Sequence, residues 1–137
     1  MSEKKNVHEN RIRVLLVDDE EEYVHVLSNR LTRRNIDVTK SYSGVKALQV
    51  LRKQDFDVAV LDIKMEDLDG LELLKILKKM APQIEVIMLT GHGSAEEATL
   101  GMKRGAYDYL IKPCDFKDLL DKIRGAYEKR KSKNEHE

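Results

Sequence analysis

Four short apolar runs in this chain each end in a polar residue. Val14-Leu15-Leu16-Val17 precedes Asp18 and Asp19, and Val58-Ala59-Val60-Leu61 precedes Asp62. Val86-Ile87-Met88-Leu89 precedes Thr90, and Tyr109-Leu110-Ile111 precedes Lys112-Pro113. If these runs are strands of one open parallel sheet, their carboxyl ends share an edge, and that edge is where such sheets bind ligands. Three carboxylates, a hydroxyl and an ammonium then converge on one pocket. That set fits phosphoryl transfer to an aspartate in the presence of a divalent metal.

The elements that must position these groups follow from the spacing of apolar residues. Arg13 to Val17 is short, apolar and rich in β-branched residues, as a buried strand is. The acids from Asp18 to Glu22 suit the first turn of a helix, where they meet its positive dipole end. In that helix Val24, Leu27 and Leu31 share a face, and Arg33-Arg34 suit its end. Ile36 to Thr39 reads as a weaker strand. Ser43-Gly44 opens a second helix with a stripe of Val45, Leu48 and Leu51. Phe56 to Leu61 is a continuous apolar run, expected of a strand covered on both faces. Lys64 to Gly70 is a loop. Leu71, Leu74 and Leu77 mark a third helix, closed off by Pro82.

Glu85 to Leu89 reads as the fourth strand. A glycine-rich loop, Thr90-Gly91-His92-Gly93-Ser94, leads into a short helix from about Ser94 to Arg104, which Gly105 ends. Tyr107 to Ile111 is the fifth strand. Asp115 to about Lys129 is the last helix, with Phe116, Leu119, Leu120, Ile123 and Tyr127 inward. The charged tail from Lys129 to Glu137 reads as a solvated extension of it. Strands alternating with helices, joined by right-handed crossovers, make a doubly wound five-stranded parallel α/β sheet with helices on both faces.

Bulk properties narrow the class. A chain of 137 residues suits one domain with one core. Acids and bases balance to a net charge of zero, so nothing global favours nucleic acid or a membrane surface. No apolar run approaches the roughly 18 to 20 residues that span a bilayer. The polar start, Met1 to Asn6, lacks the apolar stretch of a signal peptide. Cys114 is the only cysteine, so no internal disulfide is available. The chain reads as a soluble cytoplasmic protein with a flexible segment at 1–10, a domain at 11–130 and a charged tail at 131–137.

Four segments together resemble the receiver domain of two-component response regulators, a CheY-like superfamily. They are Leu16-Val17-Asp18-Asp19-Glu20, Leu61-Asp62-Ile63-Lys64-Met65, Leu89-Thr90-Gly91, and Gly105 through Pro113. The resemblance covers residues 11 to 130. It implies a flavodoxin-like fold with strand order 2-1-3-4-5 and five helices. It also implies a signalling domain that catalyses only its own phosphorylation and dephosphorylation, fed by a sensor histidine kinase or a histidine phosphotransfer protein. Asp62 is then the phosphoacceptor, since a carboxylate can carry a phosphoryl group as an acyl phosphate.

Three clustered carboxylates repel one another, and Mg²⁺, which takes oxygen ligands, relieves that repulsion. Asp19 and Asp62 are assigned as direct ligands, Asp18 as a ligand directly or through water, and the Lys64 backbone carbonyl as a further one. Lys112 supplies positive charge opposite the metal and Thr90 a hydroxyl for a phosphate oxygen. The resemblance implies a cis bond before Pro113, and proline makes that bond plausible. It also makes Thr90 and Tyr109 a switch pair that reshapes the surface of helix four, strand five and helix five. That surface would bind a downstream target protein or a second copy of the chain, and Lys103, Arg104, Asp108, Lys117, Asp118 and Lys122 supply charges of both signs there.

Plainer readings compete at single positions. Asp18-Asp19 alone could start a helix, Tyr109 could be a packed aromatic, and His92 a solvated loop histidine. Cys114 reads as a small loop residue, and no second His or Cys stands at zinc-ligand spacing. One departure stands out: the family usually has proline four residues after the phosphorylated aspartate, and here that position is Glu66. A less rigid loop with altered metal affinity or phosphate lifetime is expected. Gly70 still fits the pattern.

Competing functions separate on local chemistry. A flavin protein would need a phosphate cradle where Asp18 to Glu22 stand, and those acids repel phosphate. An aspartate-nucleophile phosphatase needs a second aspartate where Lys64 stands. A receiver-like interaction domain that never takes phosphate is disfavoured by Asp62, Thr90 and Lys112 together. The chain stops soon after its last helix, so it is expected to act alone, without binding nucleic acid, or to be the receiver of a longer transcription regulator.

Overall fold

The computed structural model describes residues 11–91 and 95–136, the side chains of 134–136 excepted. The elements run β1 (Arg13–Val17), α1 (Glu21–Thr32), β2 (Asp37–Ser41), α2 (Gly44–Leu51), β3 (Val58–Asp62), α3 (Gly70–Met80), β4 (Glu85–Thr90), α4 (Ala95–Lys103), β5 (Asp108–Ile111) and α5 (Phe116–His136). All strand pairs are parallel and the order is β2-β1-β3-β4-β5, as the resemblance implies. The order reverses direction at β1, so the crevice at that edge opens beside β1 and β3.

Alternate residues of the central strands feed two cores on opposite faces, because strand side chains alternate. Leu15, Val17, Ala59, Leu61, Val86 and Met88 pack with Leu73, Leu74 and Leu77 of α3. Val14, Leu16, Val58, Val60, Ile87 and Leu89 pack with Val24, Leu27 and Leu31 of α1 and Leu119, Leu120 and Ile123 of α5. Every residue of β3 and β4 is buried, while β2 and β5 are half-exposed edges. Covered faces in the centre explain why the β3 and β4 runs are continuous rather than alternating.

Two expectations change. Val45 is exposed, and α2 buries Gly44 and Ala47 instead, with Leu48 and Leu51 half-buried. Gly44 sits so close to Leu68 that a side chain there would meet it, so this face is built from small residues. The second change is at the tail, which extends the last helix with residues 131–133 exposed but also reaches back to the sheet through its basic side chains. Helix α5 continues through His136 and bonds the lower edge of the sheet. Buried Asp57 takes Arg130 (3.3 Å) as well as Arg13 (3.2 Å). Buried Glu85 takes Lys133 at 2.7 Å and Lys129 at 3.9 Å. Buried carboxylates need partners, and the basic tail residues supply them.

Candidate functional site

Register brings the distant polar residues together. Val17 pairs with Leu61, so Asp18 and Asp62, the last polar steps of β1 and β3, stand side by side. Thr90 pairs with Ile111, which places Lys112 one residue beyond it. The groups are shielded within the crevice: Asp18 is fully buried, and Asp62 and Thr90 nearly so.

Lys112 is the hub. Its Nζ lies 2.8 Å from Asp18 Oδ2, 3.0 Å from Glu20 Oε1 and 3.8 Å from Asp62 Oδ2. The peptide bond between Lys112 and Pro113 is cis, as the resemblance implies. The Lys112 N–H donates to the Thr90 carbonyl at 2.6 Å, which ties the lysine's backbone to the end of β4. Asp62 Oδ1 accepts the Lys64 N–H at 3.2 Å, and Asp18 Oδ1 accepts the Glu20 N–H at 3.0 Å.

Thr90 donates its hydroxyl to the Leu110 carbonyl at 3.4 Å. Tyr109 points outward, 39% exposed. The Lys64 side chain is also turned away, toward Glu97 at 3.7 Å. His92 lies outside the described residues.

Charge at the site is out of balance. Burial and the neighbouring Asp18 carboxylate push the Asp62 carboxyl up to about 6, although Lys112 and the Lys64 N–H pull the other way. Burial opposes the charged form of Lys112, but hydrogen bonds to Asp18 and Glu20 outweigh it and hold its pKa above the usual lysine value. A cation beside Asp62 would offset the burial and the Asp18 charge and favour its ionised form.

Among the described residues, Asp18, Glu20 and Asp62 each present a carboxylate oxygen, and these atoms lie within 4.8 Å of one another. An oxygen-only set suits a hard cation such as Mg²⁺. This trio contains Glu20 in place of the expected Asp19. The reason is local: Asp19 Oδ2 accepts the Glu66 N–H at 3.3 Å. A proline at 66 would have no N–H to donate, so the departure at Glu66 gives Asp19 this partner.

Neither Glu20 nor Asp67 stood out in the sequence. Glu20 was absorbed in an acidic run that suits a helix start. Asp67 Oδ1 and Oδ2 accept the Gly44 and Val45 N–H groups at 3.1 and 3.0 Å, so the loop after β3 is pinned to the start of α2. Burial works against the Asp67 carboxylate, but these backbone donors outweigh it and lower its pKa. Asp69 caps α3 through the Leu71 N–H at 3.1 Å, and the Gly70 N–H donates to the Ile63 carbonyl at 2.8 Å. Loop rigidity thus comes from side-chain capping, a signal visible only as Asp at 67 and 69.

The same architecture occurs in known proteins. The family model described as "Response regulator receiver domain" matches residues 14–124. The transcriptional regulatory protein ZraR of Escherichia coli (strain K12) is 39% identical over 119 residues, 87% of this chain and 27% of that protein. The transcriptional regulatory protein GlrR of the same strain is 35% identical over 115 residues, 84% of this chain and 26% of that protein. The chain therefore spans about a quarter of the length of these curated relatives.

Among solved structures, a response regulator receiver domain protein from Clostridium thermocellum superposes with a TM-score of 0.84 at 34% identity, covering 88% of this chain and 97% of that one. The beryllofluoride-activated NtrC4 receiver domain dimer gives 0.82 at 36%, covering 86% and 98%. Fold, strand-end residues and relatives agree: this chain belongs to the response regulator receiver domain family, and it is a signalling domain of the two-component type.

Proposed function

We propose that Asp62 accepts a phosphoryl group from the phosphohistidine of a sensor histidine kinase or histidine phosphotransfer protein, and that this gates a partner-binding surface. The carrying observation is Lys112, held 2.8 Å from Asp18 and 3.8 Å from Asp62 at one sheet edge. Asp62 Oδ attacks phosphorus in line, the P–N bond breaks, and its electron pair leaves with the imidazole nitrogen. The Lys112 ammonium and the Lys64 N–H neutralise charge on the oxygens during transfer. Such transfer depends on positioning and electrostatics more than on covalent help.

The Asp18 and Asp62 carboxylates and the Lys64 carbonyl, joined by Asp19 on release from the Glu66 N–H, would hold Mg²⁺, which supplies charge neutralisation when bound. In this reading the Thr90 hydroxyl exchanges its bond to the Leu110 carbonyl for one to a phosphate oxygen. Tyr109 then moves inward, and the faces of α4, β5 and α5 change. Exposed Leu100, Met102, Tyr109 and Ile111 are the apolar part of that surface. The two states pre-exist, and the phosphate selects one by binding it better. The surface would engage a target protein or a second copy of the chain.

Intact mass after incubation with Mg²⁺ and acetyl phosphate tests the assignment. A phosphate adduct is expected on the wild type and not on Asp62→Asn. An adduct on both would refute Asp62 as acceptor.

The length comparison favours a second reading of context: residues 11–130 as the receiver of a longer cytoplasmic transcription regulator. In that case the target surface is another part of the same protein, and the DNA contacts are made elsewhere. No helix among the described residues is long and apolar enough to cross a membrane.

A further inference from the structure

Lys112 must hold an ammonium over Asp62 on a long, flexible stem. A lysine side chain has many rotamers to lose, so something has to restrict it. Two restraints are carboxylates: buried Asp18 at 2.8 Å, and Glu20 at 3.0 Å, which is largely exposed and so weak on its own. A third restraint is aromatic. The ring of Tyr23, on the first turn of α1, lies with its centroid 4.6 Å from Lys112 Nζ. That is within the range of a cation–π contact.

The ring is itself fixed. Its hydroxyl sits against the Cys114 thiol, two residues past the lysine, and burial followed by the thiol's influence pushes the phenol up to about 12, so the ring stays neutral. Tyr23 also packs against the core beneath α1 and α5. The lysine side chain is only 17% exposed as a result of these walls.

We propose that Tyr23 is a positioning residue for phosphoryl transfer, its ring confining the Lys112 ammonium to the space over Asp62. It touches neither phosphate nor metal and acts only through the lysine. This rests on the receiver chemistry proposed above. Removing the ring leaves the Lys112 ammonium held by Asp18 and Glu20 alone and frees its stem, so part of the ordering cost returns at each transfer.

The test compares wild type, Tyr23→Phe and Tyr23→Leu in the rate of labelling by acetyl phosphate with Mg²⁺, each also in a Lys112→Met background. From the strength of a partly buried cation–π contact, Tyr23→Leu should label about threefold to tenfold more slowly. Tyr23→Phe should stay within about twofold of wild type, because it keeps the ring. In the Lys112→Met background the Leu substitution should have no further effect. A second readout needs no phosphate: the Lys112 methylene protons should show an upfield ring-current shift by NMR, kept in Phe and lost in Leu.

Unaltered labelling of Tyr23→Leu would overturn the proposal, as would an equal loss in the Met background or a Phe variant as slow as Leu. Wild type that takes no phosphate at all would overturn the receiver chemistry and this rate effect together. Normal wild-type labelling with an unaltered Leu variant overturns the role of Tyr23 alone.

Discussion

The metal-free site should weaken the fold that holds it, and removing one charge should show this. Asp62 is buried beside Asp18, and its carboxyl is raised from 3.8 to about 6. A shift of about 2 units is worth roughly 3 kcal/mol at 1.36 kcal/mol per unit. Screening by solvent at this open edge cuts that to an expected 1–2 kcal/mol, on the order of what a partly screened pair retains. Asp62→Asn keeps the side chain's shape and an oxygen to accept the Lys64 N–H, but it carries no charge.

The sign is fixed by linkage. A carboxyl whose folded pKa is raised contributes stability that is fully present below pH 3.8 and is lost as pH rises through about 6. In EDTA, Asp62→Asn should therefore exceed wild type by about 1–2 kcal/mol at pH 7 in urea unfolding, and the gap should close as pH falls from about 6 toward 4. Millimolar Mg²⁺ should raise the Tm of wild type more than that of the variant, because only wild type has the full carboxylate set. A variant no more stable than wild type at pH 7 without metal would refute the argument. So would a gap that widens in acid.

Other outcomes test other parts of the structure. Arg130→Ala should lose about 1–2 kcal/mol, since buried Asp57 keeps Arg13 but loses one of its two ion-pair partners; urea midpoints measure it. Gly70→Ala would set a Cβ 2.5 Å from the Ile63 Cα and 2.6 Å from the Asp62 carbonyl. It should cost about 2 kcal/mol or more and slow acetyl phosphate labelling, because backbone that carries the acceptor has to shift. Tyr109→Ala removes an exposed ring, so stability should stay within about 0.5 kcal/mol and labelling should be unchanged. Loss of labelling there would place Tyr109 in the chemistry rather than in the switch surface.

Much of this protein can be read without coordinates. A continuous apolar run has to be covered on both sides, so β1, β3 and β4 and the alternation with helices follow from local composition. Parallel strands send their carboxyl ends to one edge, so Asp18, Asp62, Thr90 and Lys112 had to meet. What the chain could not reveal locally depends on which side chain wins a contested partner. Val45 and Ala47 are equally apolar by pattern, and only the closeness of Leu68 decides that α2 turns its small face inward.

The tail is exposed as its charge implies, but its pairing with buried Asp57 and Glu85 joins residues far apart in sequence and could not be read locally. Asp19 and Glu20 are adjacent acids with the same chemistry. A backbone N–H from Glu66 turns one aside, and the Lys112 ammonium draws in the other. Sequence periodicity determines elements and the edge where they end. Hydrogen-bond competition among packed elements decides which carboxylate faces the site, because each donor can satisfy few acceptors and the geometry that ranks them exists only in the folded chain.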